Sequence, residues 1–315
     1  MNLNTKIEQT QGTKHSILRP GVVLLFMISL FIASCGGGNS DSTDDGSSTT
    51  PGGNGGGTNP NTSFAAMCAN SGVFFCDDFE SGTANWITEG TVVQLAGAAI
   101  AGEGNTIVEM RTYQNSQSAK LLRSFANLDT IYVRFDTRYA PDYDNSGGSH
   151  GPALGGSMNP PYGMLGTAGQ KPTGFDYFVL NMEPLGTVGT NGEFGFYTYF
   201  VNMLPDGAGN YWGNIFRSSQ ITAPVITPGQ WHCVEYSITL NTPGNNTDGS
   251  ATYWVDGTPH RKVTGIMWRN SSNLRINTLM LDSYNHFNNG ARPASSPNRV
   301  QFDNLVMSTS PVGCL

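Results

Sequence analysis

Charge is scarce in this chain of 315 residues. Lys and Arg number 16 and Asp and Glu 23, so only 12% of positions are ionic and the formal net charge is −7. A surface that binds nucleic acid needs a basic face to displace counterions, and this composition does not supply one. Long apolar runs are also missing: none reaches the roughly 18 residues of a bilayer-spanning helix. No amphipathic stretch with helical period exceeds two turns, which excludes a helical bundle or a coiled coil. What is abundant is glycine, 40 residues, together with 10% aromatics and frequent Asn, Ser and Thr. That mixture describes a turn-rich β protein of extracytoplasmic type.

The N-terminal region carries an address. Lys14 and Arg19 precede the apolar residues 21–33, and Ser34 and Cys35 follow. A basic segment, a short apolar core and small residues before a cut site form a secretory signal rather than a membrane helix. Ile32-Ala33-Ser34-Cys35 resembles the bacterial lipobox. The resemblance implies a lipoprotein signal peptide over residues 1–34, lipidation of Cys35, and anchoring to the outer membrane or cell surface. Gly36, where an inner-membrane retention signal would have Asp, favours the outer membrane. The membrane is then met only through the lipid. Residues 36–63 contain only Gly, Ser, Thr, Asn, Asp and Pro. Such a segment cannot bury enough apolar surface to offset its ordering entropy. Residues 35–63 therefore read as a lipidated cysteine and a flexible, disordered linker with a reach of about 30 Å.

Residues 64–315 are left for one folded domain. Alternating runs at 130–139, 176–183, 193–203, 231–240, 251–255, 274–283 and 299–308 are separated by Gly, Pro and Asn clusters. Many strands, glycine-rich turns and no helical period predict an all-β sandwich or jelly roll. Four cysteines remain after Cys35, and in an exported domain they are expected as disulfides with three possible connectivities. Cys68 and Cys76 flank a short turn and are expected to pair, which leaves Cys233 with Cys314. Their spacing is not that of a zinc site.

Strand alternation sorts side chains onto two faces. Phe194, Phe196 and Phe200 oppose Tyr197 and Tyr199; Phe178, Leu180 and Met182 oppose Tyr177, Asn181 and Glu183; Ile131, Val133 and Phe135 oppose Tyr132, Arg134, Asp136 and Arg138. Three strands with one apolar and one polar face predict a polar groove. Tyr and Trp suit sugars, offering flat apolar area and a polar handle, so Tyr211, Trp212, Trp254 and Trp268 are further candidates. Trp254, inside a strand, fits a core or rim place better. His150, in a glycine-rich loop, is a plausible base; His232, inside a strand, reads as structural.

Trp231-His232-Cys233-Val234-Glu235, Leu240-Asn241-Thr242-Pro243-Gly244, Asp248-Gly249 and Trp254-Val255-Asp256-Gly257 resemble the shared core of concanavalin A-like lectin/glucanase jelly rolls. Within that group they are most similar to polysaccharide lyases of the alginate and glucuronan type. Phe196-Tyr197-Thr198-Tyr199 resembles the strand that carries catalytic tyrosines in those lyases. Cys76-Asp77-Asp78-Phe79-Glu80 and Phe302-Asp303-Asn304 resemble paired terminal strands that hold a structural calcium, which implies Ca2+ with Glu80 and Asp303 as ligands. Two departures stand out. His150-Gly151-Pro152-Ala153-Leu154-Gly155-Gly156 lacks the lysine of the alginate-lyase Gly-Gly-Lys-Leu-Pro motif, and Asn181-Met182-Glu183 falls where a Ser-x-Arg strand is expected. No Glu-x-Asp-x-Glu strand is present, so the paired carboxylates of glycoside hydrolysis are missing.

The leading expectation is a surface-anchored polysaccharide lyase acting on a uronic-acid polymer by β-elimination. That reaction needs a group that neutralises the substrate carboxylate, a base and an acid. Arg134, Arg138 or Asn181 could neutralise, His150 or Tyr199 could be the base, and Tyr197 the acid, with Asn181, Glu183, Tyr211 and Trp212 contacting substrate. The alternative is a non-catalytic carbohydrate-binding lipoprotein that uses the same groove. It is favoured by the missing lysine and arginine and by the domain's 13 basic against 19 acidic residues. A surface adhesion module is a weaker third. In each case the partner is a polysaccharide and the chain is expected to be a monomer.

Overall fold

Period-two alternation dominates the computed structural model, which describes residues 63–97, 104–286 and 292–315. The signal peptide, Cys35 and all of the linker except Ser63 lie outside the described residues. Ser63 caps a short helix, α1 (Phe64–Cys68), by accepting from the Ala66 amide. The strands follow in order: β1 (Val73–Asp77), β2 (Ile87–Glu89), β3 (Thr91–Ala96), β4 (Thr106–Thr112), β5 (Ser118–Leu128), β6 (Thr130–Tyr139), β7 (Ser149–His150) and β8 (Ala153–Ser157). After a 3-10 turn at Tyr162–Met164 come β9 (Tyr177–Leu185), β10 (Glu193–Tyr199), β11 (Asn214–Phe216), β12 (Trp231–Thr239), β13 (Gly249–Val255), β14 (Thr258–Ile266), β15 (Ile276–Asn285) and β16 (Asn298–Ser308).

They form two eight-stranded antiparallel sheets. One runs β14-β13-β12-β6-β16-β4-β3, with β1 added on β16; the other runs β11-β10-β9-β8-β15-β5-β2, with β7 added on β15. The apolar faces meet as a sandwich core, as the alternation requires. Phe196 of the second sheet meets Tyr253 of the first edge-on at 4.8 Å, and the fully buried Trp268 packs against Phe178 at 5.5 Å. β8 crosses the middle of the second sheet in a space only glycine permits: a Cβ on Gly156 would lie 2.1 Å from the Arg275 carbonyl and 2.8 Å from the Phe178 ring. The expected all-β jelly roll is what the chain builds.

Both disulfides form as expected, Cys68–Cys76 with Cα atoms 6.0 Å apart and Cys233–Cys314 at 5.9 Å, inside the usual range. The second holds the C-terminal tail over the outer face of the first sheet, where Glu235 accepts from the amides of Val312 and Gly313. This tail corrects the reading of β6. Its alternation is as expected, but its polar face belongs to the outer side of the sheet opposite the tyrosine strand. Arg134 is 1% exposed, makes a double hydrogen bond with Asp136 at 2.7 and 2.8 Å, and donates to the Asn304 carbonyl. Arg138 donates to Gln301 and covers Trp231 at 4.7 Å. Neither reaches the groove, because period two separates faces without saying which sheet a strand joins. Trp254 lies on that same sheet against Tyr132, and Trp268 is core.

Removing Arg134 should therefore cost stability rather than chemistry. Arg134→Met leaves Asp136 buried without its partner, and breaking a buried pair from one side costs about 3–5 kcal/mol. Urea denaturation should show that loss, and any activity should be unchanged at temperatures where the variant is folded.

Candidate active site

The outward face of the second sheet carries the polar groove. Cross-strand register puts Tyr197 opposite Asn181, Asn181 opposite Ala153, Asp282 opposite Lys120, and Tyr284 opposite His150. Residues directly opposite one another share a face, so six strands, β5, β7, β8, β9, β10 and β15, contribute side chains to one wall. With the segment Met164–Ala168 as its rim, the groove encloses a cavity of about 310 Å3. His150, Lys120, Asn181, Tyr197, Tyr199, Asp282, Tyr284 and His286 all line it.

His150 is the most constrained of these. It lies not in a loop but on β7, paired with the end of β15. Its ring sits between Tyr197, with centroids 5.3 Å apart, and Tyr284, at 5.6 Å. Its Nδ1 is 2.5 Å from Oε1 of Glu183. Burial works against charge on the imidazole, but the Glu183 hydrogen bond and charge, with Asp282 behind, outweigh it and raise its pKa. Glu183 is 4% exposed and lies beneath the histidine, so it orients the ring instead of touching substrate as the sequence suggested. With Nδ1–H committed to Glu183, the Nε2 lone pair is on the groove side of the ring, where Nε2 of His286 lies 3.1 Å away.

Tyr197 and Tyr199 project into the groove as their spacing requires, their hydroxyls 3.0 Å apart. Burial, followed by the Tyr199 hydrogen bond, raises the Tyr197 pKa far above that of a free phenol. The backbone of Gly213 lies flat against this ring, and a Cβ there would come within 2.5 Å of it. Asn181 donates to the Tyr197 carbonyl at 3.0 Å, which fixes its amide at the groove floor.

Four groove residues escaped sequence reasoning, among them Tyr284, which stacks on His150. Lys120, on β5, brings a cation into the site, with Glu89 3.9 Å away and the buried Asp282 opposite. Asp282 is pushed up to about 7, first by burial. His286, just past β15, places its Nε2 3.1 Å from Nε2 of His150. Tyr211 and Trp212 flank the rim: Tyr211 carries Lys171 over its ring at 5.1 Å, and Trp212 is 49% exposed above Gly169. His232 is structural as expected, bridging Asp256 and the Thr227 amide.

The fold is that of the concanavalin-like jelly-roll lyases. Residues 217–295 match the family model for polysaccharide lyase 14, a stretch that includes Asp282, Tyr284 and His286 but not the tyrosine strand or His150. Among solved structures the chain is similar to an alginate lyase from Chlorella virus, with a TM-score of 0.53 and 16% identity over 76% of this chain and 100% of that one. It is also similar to the PL-14 alginate lyase of Aplysia kurodai (TM-score 0.50, 13% identity, 76% and 90% covered) and to the endo-β-1,4-glucuronan lyase of Trichoderma reesei (TM-score 0.50, 13% identity, 76% and 96% covered). No curated protein matches the chain. These likenesses bear out the fold expected from the Trp and Asp-Gly motifs.

Proposed function

We propose that the groove is the active site of a polysaccharide lyase that cleaves a uronic-acid-containing polymer by β-elimination. The observation that carries this is the pairing of a proton acceptor and a proton donor across one cavity: His150, backed by the buried Glu183, faces the phenol of Tyr197 with ring centroids 5.3 Å apart. In the reaction, His150 Nε2 takes the proton from C5 of the uronate. The electron pair forms the C4–C5 double bond as the C4–O bond breaks, and the leaving oxygen takes the Tyr197 proton. Lys120 and Asn181 hold the substrate carboxylate, replacing the two arginines expected from sequence, so that the developing charge at C5 is stabilised. Tyr199 positions Tyr197, and Trp212 and Tyr211 offer stacking surface at the rim. A panel of polyuronates, followed at the ultraviolet absorbance of the unsaturated product, tests the reading. No absorbance on any polyuronate would leave the non-catalytic binding alternative.

A pH profile follows from the same geometry. His150 must be neutral to act as base, and Glu183 raises its pKa, so activity should climb as pH rises through a value above the ordinary imidazole range. Tyr197, its pKa raised, stays protonated and keeps donating on the alkaline side. Glu183→Gln should shift the acidic limb of kcat/KM to lower pH and reduce maximal turnover roughly 10²-fold, because the histidine loses its orienting charge. An unmoved limb would remove Glu183 from the account.

The lipobox-like Ile32-Ala33-Ser34-Cys35 supports a lipid anchor at the outer membrane or cell surface. A structural calcium at the terminal strands is supported by the buried Asp303, whose Oδ2 lacks a hydrogen-bond partner and which is pushed up to about 7 by burial and by the charges of Asp136, Glu80 and Asp78. Glu80 stands nearby with Oε1 bound to the amides of Asn105 and Thr106, both at 2.6 Å. Among the described residues no group of three or more metal-binding side chains gathers, so carbonyl oxygens must complete a calcium shell. Chelation should lower the Tm if the ion is bound to the native state alone, and calcium should restore it.

A further inference from the structure

His286 is given no step in the elimination proposed above, yet its ring lies against the proposed base. Its amide donates to the Gly148 carbonyl at 2.9 Å, continuing the β7–β15 pairing by one step, and its ring stands edge-on to Tyr284 at 4.8 Å. The consequence is two imidazole Nε2 atoms 3.1 Å apart in an open groove. Two lone pairs at that distance repel unless something positive lies between them. A single shared proton is one such occupant; a metal ion is the other.

The details favour a metal ligand pair. At zinc–nitrogen distances of about 2.0–2.1 Å, nitrogens 3.1 Å apart subtend roughly 100° at the ion, between square and tetrahedral values. His150 already has the arrangement that metal-bound histidines adopt, with its other ring nitrogen donating to a carboxylate that fixes the tautomer and raises basicity. His150 lies on β7 and His286 one residue past β15, its amide bonded to the Gly148 carbonyl, so the backbone already holds the two rings together. Among the described residues no third His, Cys, Asp or Glu gathers with the pair, and a site whose protein ligands are imidazole nitrogens favours borderline divalent transition ions over calcium or magnesium.

We propose that His150 and His286 form a two-histidine site for a divalent transition ion of the zinc, nickel or copper class, with water completing the coordination. The proposal stands apart from the lyase reading. Its consequence rests on that reading: a bound ion occupies the lone pair that would take the C5 proton, so the metal-loaded protein would be silent until the ion is withdrawn.

The test is calorimetric titration of NiCl2 into the purified protein with excess calcium present. One nickel per chain is expected. His286→Ala and His286→Gln should each weaken binding at least tenfold, and Glu183→Gln should weaken it by about 10-fold or more through the orienting hydrogen bond. Copper bound to the wild type should show two nitrogen ligands by electron paramagnetic resonance, and one in His286→Gln. Circular dichroism checks that the variants are folded. No nickel binding to the wild type, or binding unchanged in both folded His286 variants, would overturn the site. Neither result depends on whether any polymer is cleaved.

Discussion

Tyr197→Phe is expected to lower turnover on a cleaved polyuronate by roughly 10²–10⁴ while substrate binding is retained. The substitution keeps the ring that packs against Gly213 and faces His150, and it removes only the hydroxyl. Stacking area on the sugar is therefore preserved, whereas the proton for the leaving oxygen is gone. The proposed role of general acid accords with the burial that holds this phenol protonated far beyond neutral pH. Tyr199→Phe should cost less, since its hydroxyl acts through its 3.0 Å contact with Tyr197. If kcat were unchanged in Tyr197→Phe and only KM rose, the residue would be a binding surface and the acid would have to be sought elsewhere.

Lys120→Met should reduce kcat/KM on a polyuronate by about 10²–10³, the scale for losing one donor that stabilises developing charge. The methionine keeps most of the side-chain volume, so the effect isolates the ammonium. Lys120 is the ammonium group that lines the groove, beside the histidines and tyrosines. Its loss also leaves the buried Asp282 without its cation, which should depress Tm; comparing the two effects separates chemistry from folding. A loss confined to Tm, with kcat/KM on the folded protein unchanged, would leave carboxylate binding to Asn181 alone.

Much of this was readable in one dimension. The spacing of Phe194, Phe196, Tyr197 and Tyr199 gave the correct faces, because in a strand the next residue must point the other way. The two cysteine pairs were readable because a short turn brings Cys68 and Cys76 together. What the sequence hid was which sheet each strand joins. The polar face of β6 looks like that of β9, but the tail held by Cys314 covers one while the other stays open. Lys120 was missed because Leu121 and Leu122 interrupt the alternation of β5, so no strand face was assigned to it. The link between Glu183 and His150 spans 33 positions. No local pattern reports such a pair, and the carboxylate looked like a misfit for a uronate site until its position beneath the imidazole explained it. His286 lies past the end of a recognised strand and gained meaning only from the register that sets it against His150.

The central claim is β-elimination by His150 and Tyr197, and the mass of the cut ends tests it most directly. Elimination splits the polymer without adding water, so each new non-reducing end carries a double bond and the fragment masses sum to that of the parent. Mass spectrometry of a polyuronate digested by the purified protein should show these unsaturated ends, and Tyr197→Phe should nearly abolish them. Fragments whose summed mass exceeds the parent by one water per cut would show hydrolysis, and would contradict the account.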